Sequence, residues 1–504
     1  MSDGVSTVHN AGGWVARWAQ LRGDAPAVAD EERRLDYRSL EERTARLAGW
    51  LRAEGVGEGD RVGLLLANRT AYLEAVFATA RIGAISLPIN TRLSRREVRF
   101  VLDDCTPSAI LHEDTLGALV DADASPKLRI PMDEYEAGLS AAVPHPEVLP
   151  VSPDAPMMLM YTSGTTGQPK GALLPHRKTL FNSLNAQRYF GIGPGDRVLA
   201  IPPLFHSLGL LILSVPALYA GASLLLRRHF EPETVWPEIE REGVTYMGGV
   251  PTMYQRLRDL LPAPAPPSLR FLFTAGSTVP AELVRDYERR GLCLRQGYGQ
   301  TETSILCCLD PADAARKAGS VGRPVFHGEV RCVALDALEE EPRDWRNVQP
   351  SETGEIVVRG PITMLGYWKR PVETAATLRG GRDGWLRTGD LATVDDQGFF
   401  TLVGRQRDMW ISGGENVYPA EVETVFAEHP ALREIAVVGV PDPQWGEVGR
   451  AFVVLEAGHA LDPEALTAWG RERLAPFKLP ERFVALDELP KTASGKVQKH
   501  LLPK

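Results

Sequence analysis

The sequence predicts an α/β fold with a large N-terminal domain of parallel-type α/β sheets plus a β-rich subdomain, and a small α+β C-terminal domain. Helical and strand patterns alternate through the first 150 residues and again over residues 197–274, as is typical of parallel sheets covered by helices. From Gly354 onward the apolar segments become short and turn-rich, which indicates the β-rich part. After Arg405 both patterns return for roughly 100 residues, enough for one further small domain.

Apolar spacing and turn residues predict the individual elements of the first part. Leu40–Glu54 has apolar residues at helical spacing, and the turn Gly57–Asp60 leads into a strand at Arg61–Leu66. Tyr72–Arg81 is predicted to be a helix and Ala84–Pro88 a strand. The next predicted elements, in the order strand, helix, strand, helix, strand and strand, are Arg197–Ile201, Gly209–Tyr219, Ala222–Leu226, Pro232–Glu242, Tyr246–Gly248 and Arg270–Thr274.

The last 150 residues have a different pattern. Short strands are predicted at Glu355–Arg359 and Phe399–Val403, inside the β-rich part. The C-terminal unit then has a helix, two strands and a second helix, and this mixture predicts an α+β domain. These four elements are Ala420–Glu428, Glu434–Val440, Arg450–Leu455 and Pro463–Leu474.

Composition excludes several classes of protein. The 504 residues have a net charge of -9 and a pI near 5.7, which argues against a nucleic-acid partner because phosphate binding needs clustered Lys and Arg. The uncharged run Leu208–Leu226 is interrupted by Pro216 and Gly221, so we predict a buried helix and strand instead of a membrane span. The five cysteines lack metal-binding spacing and the N-terminus lacks a signal-peptide pattern, so we expect a cytoplasmic protein. A homodimer and peripheral membrane association stay open.

The strongest chemical signal is Tyr161–Gly171, where a predicted strand, Met157–Tyr161, runs into a loop rich in Gly, Ser and Thr. Glycines let backbone N–H groups approach phosphate oxygens, hydroxyls donate further hydrogen bonds, and Lys170 adds positive charge. The spacing is not that of a Walker A loop, because Lys170 is followed by Gly171. We therefore predict a phosphate-binding loop of another kind. Its candidate residues are Thr162, Ser163, Gly164, Thr165, Thr166, Gly167 and Lys170.

This loop resembles the signature loop of the adenylate-forming superfamily, which includes acyl-CoA synthetases, adenylation domains of nonribosomal peptide synthetases and beetle luciferases. Four further segments resemble motifs of that family, in the family's order and over nearly the whole chain: Gln296–Thr303, Thr388–Asp390, Gly404–Asp408 and Pro490–Lys499. The resemblance implies an enzyme that uses ATP and Mg²⁺ and has a mobile C-terminal domain. The run of motifs is most similar to that of bacterial fatty-acid–CoA ligases.

The resemblance also implies roles for single residues. Tyr298 would lie against the adenine ring, Thr301 would contact the phosphate, and Glu302 would hold Mg²⁺, a hard cation that binds a carboxylate and leaves other positions to water. Asp390 would accept hydrogen bonds from the ribose hydroxyls, and Arg405 would contact the ribose or a phosphate. Three further candidates for ATP binding are Gly276, Ser277 and Gly299.

The last motifs imply a moving domain. Domain 1–405 would bind ATP and the acid, and domain 408–504 would rotate about a hinge near Arg407, where the family usually has Asp or Lys. Lys496 would be the catalytic lysine, stabilising the negative charge shared by the attacking carboxylate and the α-phosphate. After rotation, a glycine-rich turn would face coenzyme A, with the candidate residues Gly413, Gly414 and Glu415.

The acid pocket is predicted from the same resemblance. His206 lies where the family has an aromatic or His residue beside the acyl carbonyl. The segments expected to line the pocket contain glycines and apolar residues, with no evident Arg or Lys for a second carboxylate. Apart from Glu302, which is assigned to Mg²⁺, they have no acidic residue for an amino-acid ammonium. An apolar acid is therefore favoured. The pocket candidates are His206, Ser207, Gly249, Gly276, Gly297 and Ile305.

These features predict an acid–CoA ligase. The acid and ATP would give acyl-AMP and pyrophosphate, and coenzyme A would then give acyl-CoA and AMP. A medium- or long-chain fatty acid is the expected substrate; the alternatives are an aryl acid, or a stand-alone adenylation enzyme that loads a separate carrier protein. A non-catalytic nucleotide-binding protein is disfavoured, because Glu302 and Lys496 are both present. The candidate catalytic residues are Lys496, Glu302, Thr301 and His206.

Overall fold

The computed structural model describes residues 6–120, 126–162, 169–276, 279–381, 383–412, 415–492 and 497–503, and for residues 415 and 416 only the backbone. Two sheets covered by helices form the larger part of the chain, a smaller sheet follows, and a unit with its own sheet ends it. Within these ranges no helix is long and apolar enough to cross a membrane.

The first sheet contains the two strands that flank the predicted phosphate loop. In spatial order its described strands are Gly366–Tyr367 (β18), Lys170–Pro175 (β8), Pro156–Thr162 (β7), Ile85–Pro88 (β4), Arg61–Leu65 (β3), Ala109–His112 (β5) and Leu128–Pro131 (β6). The strands from β7 to β6 are parallel, and β8 pairs antiparallel with both β7 and β18. The loop therefore joins two antiparallel neighbours, which brings its two ends together.

The second sheet is parallel at its centre and antiparallel at both edges. Its described strands, in spatial order, are Arg323–Pro324 (β15), Ser304–Cys308 (β14), Leu294–Gln300 (β13), Phe271–Thr274 (β12), Tyr246–Gly249 (β11), Arg197–Ala200 (β9), Ser223–Leu226 (β10), Pro26–Ala29 (β1) and Arg34–Asp36 (β2). The run from β13 to β1 is parallel. The motif Gln296–Thr303 lies where β13 turns back into β14.

Helices cover both sheets, and several begin at side-chain caps that the sequence provides. Asp36 accepts a hydrogen bond from the N–H of Ser39 at 2.7 Å, and Ser94 forms a capping box with Glu97. The third helix is buried at every position, because it packs inside the cluster that joins the two sheets. The helices are Trp14–Arg22 (α1), Tyr37–Ala53 (α2), Thr70–Arg81 (α3), Arg95–Cys105 (α4), Met132–Ala141 (α5), His176–Phe190 (α6), Val215–Tyr219 (α7), Pro232–Glu242 (α8), Pro251–Arg258 (α9) and Ala281–Arg289 (α10).

One helix differs from its prediction. The segment predicted as a single helix, Gly209–Tyr219, forms a π-helical stretch over Leu208–Ser214 before α7. The backbone N–H of Val215 donates to the carbonyl oxygen of Leu210, five residues earlier, which is the π-helical register. Every residue from Gly209 to Ser214 is buried, so the apolar run has no polar face from which the helix type could be deduced.

The β-rich part follows the second sheet in the chain. Its described strands are Glu329–Ala334 (β16), Thr353–Arg359 (β17), Leu378–Arg379 (β19), Trp385–Val394 (β20) and Phe400–Arg405 (β21), and Pro371–Thr377 is a short helix (α11). Strands β20 and β21 pair antiparallel, with Asp390 opposite Arg405. This pairing brings two of the predicted nucleotide-binding residues side by side.

The C-terminal unit has its own hydrophobic core. Trp410, Val437 and Val453 belong to a cluster whose members all follow residue 409. The unit contains strands Trp410–Ser412 (β22), Glu415–Val417 (β23), Leu432–Asp442 (β24), Gly446–Leu455 (β25) and Pro480–Ala485 (β26), with helices Pro419–Phe426 (α12) and Pro463–Arg471 (α13). The predicted fold class is confirmed; the boundaries 1–405 and 408–504 stay predictions.

Candidate active site

Both ends of the predicted phosphate loop meet the predicted metal ligand. Thr162 and Lys170 pair across the hairpin of β7 and β8. The Thr162 hydroxyl donates to Oε1 of Glu302 at 3.4 Å, and Lys170 Nζ lies 5.6 Å from the ring centroid of Tyr367. The loop therefore starts and ends beside this carboxylate. The loop candidates Ser163, Gly164, Thr165, Thr166 and Gly167 lie outside the described residues.

The Glu302 carboxylate is held by neutral groups. The Tyr367 hydroxyl donates to Oε1 at 3.1 Å, and the N–H of Met364 donates to the Glu302 carbonyl oxygen at 2.8 Å. Thr301 lies half-buried in the same turn. Within the described residues Glu302 forms no ion pair with Lys or Arg, so its charge is available to a cation.

The surroundings of Glu302 suit Mg²⁺ as the cation. In the part of the chain that the structure describes, no group of three or more His, Cys, Asp or Glu could hold a metal by itself. Mg²⁺ needs no such group, because it binds one or two carboxylates together with substrate phosphates and water. Glu302 fits this pattern, because it lies beside the phosphate loop and forms no ion pair with any Lys or Arg in the described part of the chain.

The turn around Glu302 depends on close packing. Gln300 pairs with Ser304 across it, and Ser304 has a φ of +65°, which is uncommon for a residue other than glycine. A Cβ atom at Gly299 would overlap the carbonyl oxygen of Ser304, and one at Gly297 would lie 2.7 Å from the ring of Phe273. Packing thus requires both glycines of the motif, and their contacts with ATP and the acid stay predictions.

The predicted ribose site forms a second hydrogen-bonded cluster. Asp390 Oδ2 accepts from the Tyr298 hydroxyl at 2.6 Å and from Gln300 Nε2 at 2.5 Å, while Oδ1 lies 2.8 Å from Arg405 Nε. Gln300 also donates to the carbonyl oxygen of Thr388 at 2.9 Å. Burial, together with the charge of Asp390, raises the pKa of Tyr298 well above its usual value, so the phenol keeps its proton and donates. The sequence analysis did not identify Gln300 as part of this cluster.

The predicted pocket residues gather at the carboxyl ends of three neighbouring parallel strands. Gly249 ends β11 opposite Thr274 of β12, and Thr274 lies opposite Gln296 of β13. Gly276 and Gly297 follow directly at the same edge, and Gly276 has a φ of +96°, which glycine adopts without strain. Ligands of open α/β sheets bind at this edge, so the position agrees with the predicted pocket.

The other wall of the predicted pocket is formed by the π-helical segment and β14. His206 and Ser207 precede that segment and are half-buried. The buried Ile305 donates its N–H to Asn182 Oδ1 at 3.3 Å, and Asn182 Nδ2 donates to the carbonyl oxygen of Leu211 at 2.5 Å. Asn182 of α6 therefore connects two sides of this wall. The sequence analysis missed it, because its partners are remote in the chain.

A buried lysine was missed as well. Lys178, on the first turn of α6, is 1% exposed and donates a hydrogen bond from Nζ to Ser304 Oγ at 2.6 Å. The sequence analysis found no Lys or Arg near the pocket. The sequence could have indicated this lysine, because Lys178, Asn182 and Asn185 follow one another at spacings of four and three residues. That spacing marks a polar stripe along one face of a helix.

The C-terminal candidates are described only in part. Arg407 is exposed within the short 3-10 segment Gln406–Asp408, and Glu415 begins β23. Lys491 pairs with Val497 across the residues that include the predicted catalytic lysine. The hinge, the turn facing coenzyme A and the lysine stay predictions. The candidates Ser277, Gly413, Gly414 and Lys496 lie outside the described residues.

Family models match both parts of the chain. The model for AMP-binding enzymes matches residues 15–368, and the model for the C-terminal domain of AMP-binding enzymes matches residues 421–496. The chain belongs to the AMP-binding enzyme family. The first match contains the phosphate loop and the Glu302 turn, and the second ends at Lys496.

Individual relatives cover nearly the whole chain. A feruloyl-CoA synthase from Amycolatopsis is 44% identical over 498 residues, 97% of each chain. An indoleacetate–CoA ligase from Aromatoleum aromaticum is 40% identical over 506 residues, 96% of each chain. The solved o-succinylbenzoate-CoA synthetase from Bacillus subtilis, bound to its acyl-adenylate intermediate, matches with a TM-score of 0.88 at 33% identity over 98% of each chain. A second structure of that enzyme holds ATP and a magnesium ion.

These findings confirm the predicted superfamily, the predicted enzyme class and the predicted co-substrates. The chain is an ATP-dependent, AMP-forming acyl-CoA synthetase that uses Mg²⁺ and coenzyme A. The expected fatty-acid substrate is not supported, because these relatives are named for aromatic acids, which the sequence analysis gave as an alternative. The cytoplasmic location, the homodimer and the carrier-protein partner stay predictions.

Proposed function

We propose that this enzyme ligates aromatic carboxylic acids to coenzyme A, the ring being joined to the carboxylate directly or through a short chain. The observation that carries the proposal is the 44% and 40% identity to two relatives whose names specify such acids. The two matches cover 97% and 96% of this chain, so they span the pocket segments as well as the nucleotide motifs. We therefore transfer the class of acid and leave the particular acid to experiment.

The composition of the candidate pocket supports this class. Leu210, Leu211 and Ile305 are buried apolar residues on one wall, and Gly249 and Gly276 place no side chain at the strand ends opposite. Small-molecule sites are mostly apolar, with a few polar groups that orient the ligand. An aromatic ring supplies a large apolar surface with few rotatable bonds, so its burial in such a site costs little conformational entropy.

In the first half-reaction the substrate carboxylate attacks the α-phosphorus of ATP, and pyrophosphate leaves as acyl-AMP forms. Thr162 and Lys170 would contact the phosphates at the two ends of the loop, and Asp390 would accept hydrogen bonds from the ribose hydroxyls. Lys496 would stabilise the charge that develops between the two anions. Bound to Glu302, Mg²⁺ would supply further positive charge to the phosphate oxygens.

In the second half-reaction the coenzyme A thiol attacks the acyl carbon, and AMP leaves as the thioester forms. Rotation about Arg407 would withdraw Lys496, which this step does not need, and bring Gly413, Gly414 and Glu415 toward the acyl-adenylate. His206 would orient the acyl group in both steps. One acid pocket would thus serve two reactions.

The proposal is tested with pairs of acids that have equal numbers of carbon atoms. Cinnamate is compared with nonanoate, and phenylacetate with octanoate, by the initial rate of pyrophosphate release with ATP, Mg²⁺ and coenzyme A. We expect kcat/KM to be roughly tenfold or more higher for the aromatic member of each pair, because its ring fits the pocket in the transition state. Ferulate, indoleacetate and substituted benzoates then identify the preferred ring.

Two outcomes would contradict the proposal. A higher kcat/KM for nonanoate and octanoate would restore the fatty-acid interpretation. Pyrophosphate release that is indifferent to coenzyme A, with no acyl-CoA found by mass spectrometry, would point to a carrier-protein thiol as the acceptor.

A further inference from the structure

The buried ammonium of Lys178 has an unusual position. Lys178 starts a polar stripe on α6 that continues with Asn182 and Asn185, and all three are at most 1% exposed. Asn182 holds the backbone of Ile305, and Asn185 exchanges two hydrogen bonds with the backbone of His327. Within the described residues, Lys178 makes one hydrogen bond, to the Ser304 hydroxyl. Two of its three N–H donors are therefore left for other partners.

The partner of Lys178 belongs to the turn that presents Glu302. Ser304 follows Glu302 by two residues and adopts a left-handed backbone conformation, which requires support from its surroundings. The Glu302 carbonyl oxygen also accepts a hydrogen bond from the N–H of Met364, and its carboxylate accepts one from the Tyr367 hydroxyl. The turn is thus bonded both to the segment that contains Met364 and Tyr367 and to helix α6, and Lys178 makes the bond from α6.

Burying a lysine only to bind a serine hydroxyl is energetically unfavourable. Removing an ammonium from water costs free energy, whereas a neutral donor would make the same bond at a smaller cost. Burial lowers the pKa of Lys178 to about 7, and the Glu302 carboxylate opposes that decrease. The charged and neutral forms of Lys178 are therefore close in free energy at neutral pH, and anions that gather beside Glu302, such as the phosphates of ATP, would favour the charged form.

We propose that Lys178 is a positioning residue for the metal-binding carboxylate. It holds Ser304, and through Ser304 the turn Gln300–Ser304, and its buried positive charge offsets the negative charge that collects at Glu302 when ATP binds. This inference rests on the role proposed above for Glu302 as the Mg²⁺ ligand. Lys178 acts through Ser304 and Glu302, without contact with the reacting atoms.

The test replaces Lys178 by methionine, which is close in length, neutral and suited to burial. Binding of a non-hydrolysable ATP analogue is measured by calorimetry with Mg²⁺ and with EDTA, beside thermal unfolding and the kinetics of adenylation. We expect Lys178→Met to reduce the Mg²⁺-dependent gain in ATP affinity roughly 10- to 100-fold, as changes next to metal ligands do. The Tm should stay equal or rise, and the KM for the acid should change less than about threefold.

Three further variants make the result interpretable. Ser304→Ala should reduce the Mg²⁺-dependent gain in ATP affinity by a smaller factor than Lys178→Met, because it removes the hydrogen bond and keeps the charge. It also tests the proposal if Lys178→Met does not fold. Lys127→Met, at an exposed lysine, should leave every quantity unchanged. Glu302→Gln should abolish the Mg²⁺-dependent gain; if it does not, the proposed role of Glu302 fails, whatever Lys178→Met shows.

The inference is overturned by either of two results while Glu302→Gln behaves as expected. An unchanged Mg²⁺-dependent gain in Lys178→Met, with a lowered Tm, would make Lys178 a structural residue only. A raised KM for the acid with normal ATP binding would instead assign Lys178 to the acid pocket.

Discussion

The candidate site contains two carboxylates whose surroundings differ. Asp390 is bound by the guanidinium of Arg405 and by the Tyr298 and Gln300 side chains, so a positive charge of the protein already faces it. Glu302 is bound by the hydroxyls of Thr162 and Tyr367, and within the described residues no cation pairs with it. Both residues come from sequence motifs, and only their partners distinguish them.

This difference suits the two carboxylates to different functions. A carboxylate beside Arg405 is compensated, and it suits the orientation of uncharged hydroxyls such as those of ribose. A carboxylate that receives only neutral donors keeps its charge for an incoming cation, which is what a Mg²⁺ ligand requires. We therefore expect a substitution at Glu302 to affect activity far more than stability, and a substitution at Asp390 to affect both.

Glu302→Gln should have the largest effect on activity and little effect on stability. The amide keeps the shape and can still accept from Tyr367, but the charge that binds the cation is lost. We expect the adenylation kcat to fall roughly 10²- to 10³-fold, the size of losing one electrostatic stabiliser of the transition state. Pyrophosphate exchange measures the rate, and thermal unfolding should show a Tm close to that of the parent.

The matched control for Glu302→Gln is Glu339→Gln, at an exposed glutamate, which should leave both quantities unchanged. A large loss of Tm in Glu302→Gln would contradict the comparison, because it would mean that the protein needs this charge for its own stability.

Asp390→Asn should affect both quantities to a moderate degree. The change leaves Arg405, which is 40% exposed, without its counter-ion, and we expect a loss of about 1 kcal/mol in the free energy of unfolding after allowance for solvent. Loss of a charged acceptor for the ribose hydroxyls should raise the KM for ATP roughly 10- to 100-fold. Denaturant unfolding and steady-state kinetics measure the two effects.

Asp395→Asn is the matched control for Asp390→Asn. It breaks the ion pair with Lys317 in the same part of the fold, so it should lower stability without raising the KM for ATP. An unchanged KM for ATP in Asp390→Asn would remove Asp390 from the nucleotide site.

Tyr298→Phe should have the smallest effect. It deletes the hydrogen bond to Asp390 and keeps the ring, whose predicted role is contact with adenine. A hydrogen bond to a charged group contributes about 1.5–3 kcal/mol, but Asp390 keeps its hydrogen bond from Gln300 and its ion pair with Arg405. We therefore expect only part of that contribution to be lost, and the KM for ATP to rise roughly two- to tenfold with kcat nearly unchanged. A rise as large as that of Asp390→Asn would mean that the hydroxyl itself determines the conformation of Asp390.

The sequence predicted secondary structure correctly where the turn residues and apolar periodicity lie within a single segment. The predicted strand Arg61–Leu66 is observed as Arg61–Leu65, and the predicted helix Tyr72–Arg81 as Thr70–Arg81. Their turns and apolar periodicity lie within the segments themselves. The π-helical form of Leu208–Ser214 was not predictable in this way, because a run that is apolar on every face has no periodicity that could reveal the helix type.

The sequence by itself determined the family, the fold class and the reaction, because the motifs are short, contiguous and chemically distinctive. Only the tertiary structure decided which side chains support them. Lys178 and Ser304 are 126 residues apart, and Glu302 and Tyr367 are 65 apart. Contacts over such distances arise when helix α6 and strand β18 pack onto the sheets. Local sequence pattern does not reveal that packing, which buries Lys178 beside the turn of Glu302 and, among the residues that the structure describes, leaves Glu302 without an ion pair.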